Sequence, residues 1–170
     1  GDHHEMPLLK GVIARRALDA PERLFVIINR GVGSAAQQCA NVFAKYTRAT
    51  FIGEPTGTRP NFFGSMRTFT LPHHPQILIG HSTLAFQEAG SDNFDLSLAP
   101  SIHAPLRAGD FQSHRDPAME RIDQIAAINA GKAAVAEQLT REYAAGGFAA
   151  LKQAWDTGKP RLLAIGVDLE

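Results

Sequence analysis

The stretch N-R-G-V-G-S-A-A at Asn29–Ala36 holds the residue types that a nucleophilic serine needs. A serine between a buried strand and a helix N-terminus stands where backbone N–H groups and the positive end of the helix dipole converge. A tetrahedral oxyanion needs that environment, so Ser34 is a candidate nucleophile with half an oxyanion hole attached. Serine in that place also caps helices, and local pattern alone leaves both roles open. A second tract, G-E-P-T-G at Gly53–Gly57, leads into R-P-N-F-F-G at Arg59–Gly64. The planar guanidinium of Arg59 suits a carboxylate such as a chain terminus, although a loop arginine facing solvent fits the pattern as well. Asn61 is a candidate substrate contact; Phe62 and Phe63 beside it either line a groove or pin their loop.

Other reactive residue types fit poorly. Asp2, His3, His4 and Glu5 cluster at one end, and His73 adjoins His74. Adjacent histidines point to opposite faces of a strand or diverge by about 100° on a helix, and no pair has the H-E-x-x-H spacing. No metal site is expected. His81, His103 and His114 read as edge or surface residues. Cys39 is the single cysteine, which excludes an internal disulfide framework; it falls on the inward side of its helix, where a thiol is inert more often than reactive. The Gly57–Gly64 loop lacks phosphate-loop spacing, and no cofactor is implied.

Several elements must position these residues. Met6, Leu9, Val12, Ile13 and Ala17 recur at helical spacing and predict a helix over 5–18. Leu24–Asn29 is a continuous apolar run that reads as a strand buried on both faces. A glycine-bearing turn follows, then a helix from Ala35 to Tyr46 with Ala36, Cys39, Ala40 and Phe43 inward, then a strand at Ala49–Ile52. Strand, turn, helix, strand is a βαβ unit. Met66–Leu71, Gln76–Gly80 and Ser82–Gln87 predict short hairpins, and residues 88–115 look loop-dominated. Asp116 and Pro117 mark a helix start, continued by Met119, Ile122, Ile125 and Ala126. Further helices are expected over 133–145 and 147–156, split by Gly146 and Gly147, with Phe148 and Trp155 in the core. The class is α/β with a helical tail.

Together the two tracts resemble the tail-specific (C-terminal processing) serine peptidase family, in which a G-x-S-A-like turn, a helix and a strand precede G-E-P-T. The 19 positions from Ser34 to Gly53 match its register without a gap. Arg59–Gly64, F-T-L-P at Phe69–Pro72 and H-R-D-P-A-M-E at His114–Glu120 resemble a subgroup reading G-E-P-T-G-x-x-P-N-x-x-G. The resemblance covers about residues 1–130. It implies a Clp-protease/crotonase-like fold of ββα units, with Ser34 as nucleophile and the Ala35 N–H as one oxyanion donor. Gly1 resembles the last glycine of the family's upstream D-L-R-x-N-x-G-G tract, whose amide is the second donor, or else it is a cloning remnant. On this reading the chain is the C-terminal part of the peptidase domain (1–130), and 131–170 is a helical extension.

The departures are informative. Arg59 stands where the Ser–Lys dyad members carry lysine, and arginine cannot act as a base near neutral pH. Lys45 stands where an acid is common. Tricorn-type members instead use an upstream histidine with a downstream glutamate; Glu88, Asp92 and Asp95 lie in the matching loop, and no motif selects among them. The implied function is a serine peptidase-like hydrolase whose base comes from polypeptide before the chain. The alternative is a non-catalytic homologue binding peptides or lipophilic ligands, as the retinoid-binding members of the photoreceptor matrix do.

The 170 residues suffice for one domain with a core. Seventeen basic and seventeen acidic side chains leave no net charge, which argues against a nucleic-acid partner. No apolar run approaches the ~20 residues of a membrane span. The expected partners are a peptide or protein substrate and the upstream part of the same polypeptide. Family resemblance favours a periplasmic or extracellular setting.

Overall fold

The computed structural model describes residues 5–169. The chain divides into two compact units, the first ending at Ala118 and the second beginning at Met119.

In the first unit, α1 (Glu5–Ile13) precedes β1 (Phe25–Ile28), α2 (Ala35–Tyr46) and β2 (Thr50–Gly53). β1 and β2 pair in parallel, Phe25 opposite Thr50 and Ile28 opposite Gly53, so the expected βαβ unit is present. β2 then pairs in parallel with β5 (Ile102–His103), giving the order β1-β2-β5. The mixture of parallel strands and crossover helix is an α/β arrangement. Leu9, Ile28, Ala40, Val42, Phe43 and Phe51 form the core between sheet and helices, and Ile52 is fully enclosed. Burying each of these side chains larger than alanine contributes about 1.5–3 kcal/mol.

Four expectations change here. α1 stops at Ile13 rather than running to residue 18, because tight bonds from Arg15 N–H to the Val12 carbonyl and Leu18 N–H to the Arg15 carbonyl turn the chain back toward β1. β1 is covered on one face only: Ile28 is buried while Ile27 is 44% exposed. β1 is an edge of this sheet, and helices cover it from the Ile28 side. α2 buries Gln37, Gln38 and Asn41 along with Ala40 and Phe43, whereas Ala36 is exposed. Finally, the short hairpins merge into one, β3 (Phe62–Leu71) against β4 (His74–Phe86). Gly80 does not interrupt β4; it makes room for Met66, whose Sδ would lie 2.5 Å from a Cβ there.

After β4 the chain runs as loop to β5, and a short α3 (Ala108–Gln112) follows. The expected N-cap is present, with the Ala118 N–H donating to Asp116 Oδ1 at 3.0 Å where α4 (Pro117–Ala164) begins.

The second unit consists of most of α4 and the residues after it. Gly147, at φ 65° and ψ −152°, breaks α4, so the helix before it is undivided between 117 and 146. A Cβ on Gly131 would strike Ile165, and one on Gly158 would approach Val135, so the two halves run antiparallel about Gly147. Val135, Leu162 and Val167 form the core, with Ile128, Leu139 and Leu169 against it. Phe148 is 76% exposed and Trp155 also faces outward, contrary to expectation. The inward stripe of the second half is Ala154, Gly158 and Leu162 at four-residue spacing, and Trp155 lies about 100° away from it. No helix among the described residues is long and apolar enough to cross a membrane.

Candidate active site

Ser34 lies between β1 and α2 with φ 51° and ψ −125°. Positive φ is uncommon for a residue with a Cβ, and holding one there costs about 1–3 kcal/mol. The Ser34 side chain is exposed and makes no capping hydrogen bond, which removes the ordinary structural account of a serine at this place. The Gly33 carbonyl accepts the N–H groups of Ala36 and Gln37, and the Ser34 carbonyl accepts that of Gln38. The Ala35 N–H has no acceptor among the described residues, and it lies at the positive end of a 12-residue helix.

The turn before Ser34 is built by its neighbours. Asn29 Oδ1 accepts the Gly31 N–H at 2.8 Å, and the Asn29 carbonyl accepts the Val32 N–H. The G-E-P-T-G tract presses against this turn. Gly53 has φ 125°, and a Cβ there would fall 2.1 Å from the Ile28 carbonyl oxygen; at Gly57 it would fall 2.0 Å from that of Arg30. Glu54 pairs with Arg30 at 3.3 Å, and the Gly57 N–H donates to the Val32 carbonyl. Buried Thr56 donates its hydroxyl to the Thr58 carbonyl and accepts the Leu98 N–H, both at 2.9 Å. The tract is thus a brace that holds the serine turn in shape. Thr58 lies against Gly33, which brings the segment containing Arg59 beside that turn.

A polar network runs beneath α2. Gln37 Nε2 donates to Asn41 Oδ1 at 2.9 Å, and Asn41 Nδ2 donates to the Pro60 carbonyl at 2.7 Å. Gln38, one helical turn beyond Ser34, donates to Glu88 Oε1 at 2.9 Å. Glu88 Oε2 and Gln37 Oε1 are buried acceptors without a donor among the described residues. Buried acceptors are normally satisfied, so two orphans next to α2's first turn call for a donor. Asp92 is exposed, and Asp95 is exposed and bonded to Asn93, so Glu88 alone of the three loop acids is joined to α2. The network was readable in part: Gln37 and Asn41 are four apart on the side of α2 that faces Ala40 and Phe43. Its tie to Glu88, fifty positions away, had no local signal.

The remaining candidates fall as follows. Arg59 is exposed, and no ion pair is recorded for it among the described residues. Asn61 is engaged with its own loop, its Nδ2 donating to the carbonyls of Gly90 and Asn93 and its Oδ1 accepting the Ala89 N–H. Phe62 stacks on Phe86 with ring centroids 5.1 Å apart, while Phe63 points to solvent. Gly1, Asp2, His3 and His4 lie outside the described residues. Cys39 is half-buried, and burial, then the Glu5 carboxylate, push its thiol pKa up. A cavity of 420 Å³ opens at the C-terminal ends of β1 and β2, walled by Ile27, Arg30, Glu54, Phe111 and His114 among others. Ser34 is not in its wall.

No family model matches the chain, and no curated protein matches it. Solved structures with some likeness include mature CPAF, at 22% identity over 59% of this chain and 19% of that one, with a TM-score of 0.42. A point mutant of CPAF shows 22% identity over 59% and 18% of the two chains, with a TM-score of 0.44. An S41 protease of Bacteroides fragilis shows 12% identity over 61% of this chain and 28% of that one, with a TM-score of 0.42. The chain spans less than a third of the length of each.

Proposed function

We propose that this chain carries the nucleophile of a serine peptidase-like hydrolase of the tail-specific type, with a Clp-protease/crotonase-like fold, acting on peptide or related acyl bonds. The observation that carries the reading is Ser34 itself, held at positive φ, exposed, and bonded to no backbone amide as a cap. Strain of this kind points the hydroxyl outward at a strand-to-helix turn, as a nucleophile elbow does. Ser34 Oγ attacks the substrate carbonyl as its proton passes to a base, and the carbonyl oxygen becomes an oxyanion held by the Ala35 N–H and a second donor, the role assigned to Gly1. Collapse of the tetrahedral intermediate expels the amine, which takes the proton from the base, and water then releases the acyl group.

The base is a histidine supplied by polypeptide beyond the described residues. Glu88 is its positioning acid: one oxygen is fixed by Gln38 and the other lacks a donor, which an imidazole N–H supplies. Arg59 is a candidate clamp for a substrate carboxylate. Its placement where dyad enzymes have lysine favours one competing reading, a binding homologue without catalysis. Protein produced from the whole gene is treated with a fluorophosphonate probe, with Ser34→Ala as control. Serine-dependent labelling is expected, diminished in Glu88→Gln. Absence of labelling across the pH range overturns the catalytic reading.

A further inference from the structure

The β3–β4 hairpin spans Phe62 to Phe86, and its strands pack chiefly on each other. A lone two-stranded hairpin is marginal in water and normally gains a third strand or a packed layer. Here Phe63 is 77% exposed, Met66 71% and Leu78 67%, and Phe69, Ile77 and Leu84 are also exposed. The two outer edges differ. β3 is interrupted at Ser65, which has φ 54° and gives its carbonyl to the Thr83 hydroxyl. β4 from Gln76 to Phe86 contains no proline, lysine or acidic residue and no positive φ. Edge strands are ordinarily blunted by just those devices, so among the described residues β4 is an edge left open.

Charge narrows the partner. The hairpin carries Arg67, His73, His74 and His81 and no aspartate or glutamate. Arg67 pairs across with His81, and Phe69 with Ile79, so one face sets the Arg67 guanidinium and an imidazole beside an apolar pair. The base of the hairpin is fastened near the nucleophile: Glu88, two residues past β4, is held by Gln38, one turn from Ser34. A strand paired along the whole of β4 has one end at that base.

We propose that the outer edge of β4, Gln76–Phe86, docks an extended peptide strand with acidic and apolar side chains two positions apart. Backbone pairing supplies affinity, and the Arg67 guanidinium and the apolar pair beside it supply preference. The link to hydrolysis rests on the role proposed for Ser34; the docking does not.

The test uses the whole chain with Ser34→Ala and a rhodamine-labelled peptide, VTETVTE, followed by fluorescence anisotropy. Saturable binding is expected below about 1 mM, weakened about tenfold or more when glutamates become lysines. Of two peptides N-methylated at alternate amides, one pattern removes binding because it blocks pairing. Ile79→Lys weakens binding to the same degree, with circular dichroism and melting temperature confirming an intact fold. Equal binding of parent and both methylated peptides overturns the proposal, as does no saturable binding. So does occupation of β4 by a second copy, seen as a dimer that Ile79→Lys dissolves, or binding to anionic vesicles without peptide binding. Fluorophosphonate labelling without peptide binding defeats the docking edge alone; peptide binding without labelling defeats the catalytic reading alone.

Discussion

At Ser34 the backbone conformation and the hydroxyl give one testable consequence together. A capping serine replaced by alanine costs about 0.5–2 kcal/mol, but Ser34 makes no capping bond. Ser34→Ala is therefore expected to change unfolding free energy by less than about 0.5 kcal/mol, below that capping range. Ser34→Gly, which relieves the positive φ, is expected to be neutral or stabilising by up to about 1 kcal/mol in urea titration. A loss above the capping range would restore a structural role. Cys39 carries a second prediction. Its pKa is raised in the folded chain by burial and by Glu5, so the folded state holds the proton more tightly than the unfolded one. The group's contribution to stability is whole below the unfolded thiol's pKa, about 8.5, and is lost as pH rises through the folded value. Iodoacetamide alkylation of the native chain at pH 7.5 is expected to be slower than in denaturant, with its pH midpoint displaced upward.

At the scale of elements, the two loops around the serine turn depend on each other. Gly53 and Gly57 let the second loop meet the carbonyls of Ile28 and Arg30, and Thr56 ties it to Leu98. Gly53→Ala combines a backbone clash with an unfavourable φ, and is expected to cost about 3 kcal/mol or more and to lower fluorophosphonate labelling with it. Urea unfolding and labelling measured on one preparation check both. The glycines and Thr56 of G-E-P-T-G were visible in the sequence as a motif, but their brace function was not. Close approach between loops is set by pairing of β1 with β2, which no local pattern encodes.

At the scale of the whole molecule, two cores form from different kinds of pattern. The first mixes sheet and helix around Ile28, Phe43 and Phe51; the second is a helical hairpin around Val135, Leu162 and Val167. Leu162→Ala is expected to destabilise the second unit by about 2–5 kcal/mol. Hydrogen exchange should lose protection in α4, while Cys39 alkylation in the first unit stays unchanged. Faster alkylation would show that the cores unfold together.

By itself, the sequence determined the βαβ unit, the N-cap at Asp116, the break near Gly147 and the candidacy of Ser34. Each depends on neighbours within a turn or two, where periodicity and glycine or proline chemistry act directly. Only the tertiary structure decided that Ser34 does not cap, that Glu88 rather than Asp92 or Asp95 reaches α2, and that β1 is covered on one face. It also placed Trp155 outside and merged the hairpins around Gly80. Those outcomes depend on which distant surfaces meet, because burial and hydrogen-bond partnership belong to the packed chain and not to any stretch of it.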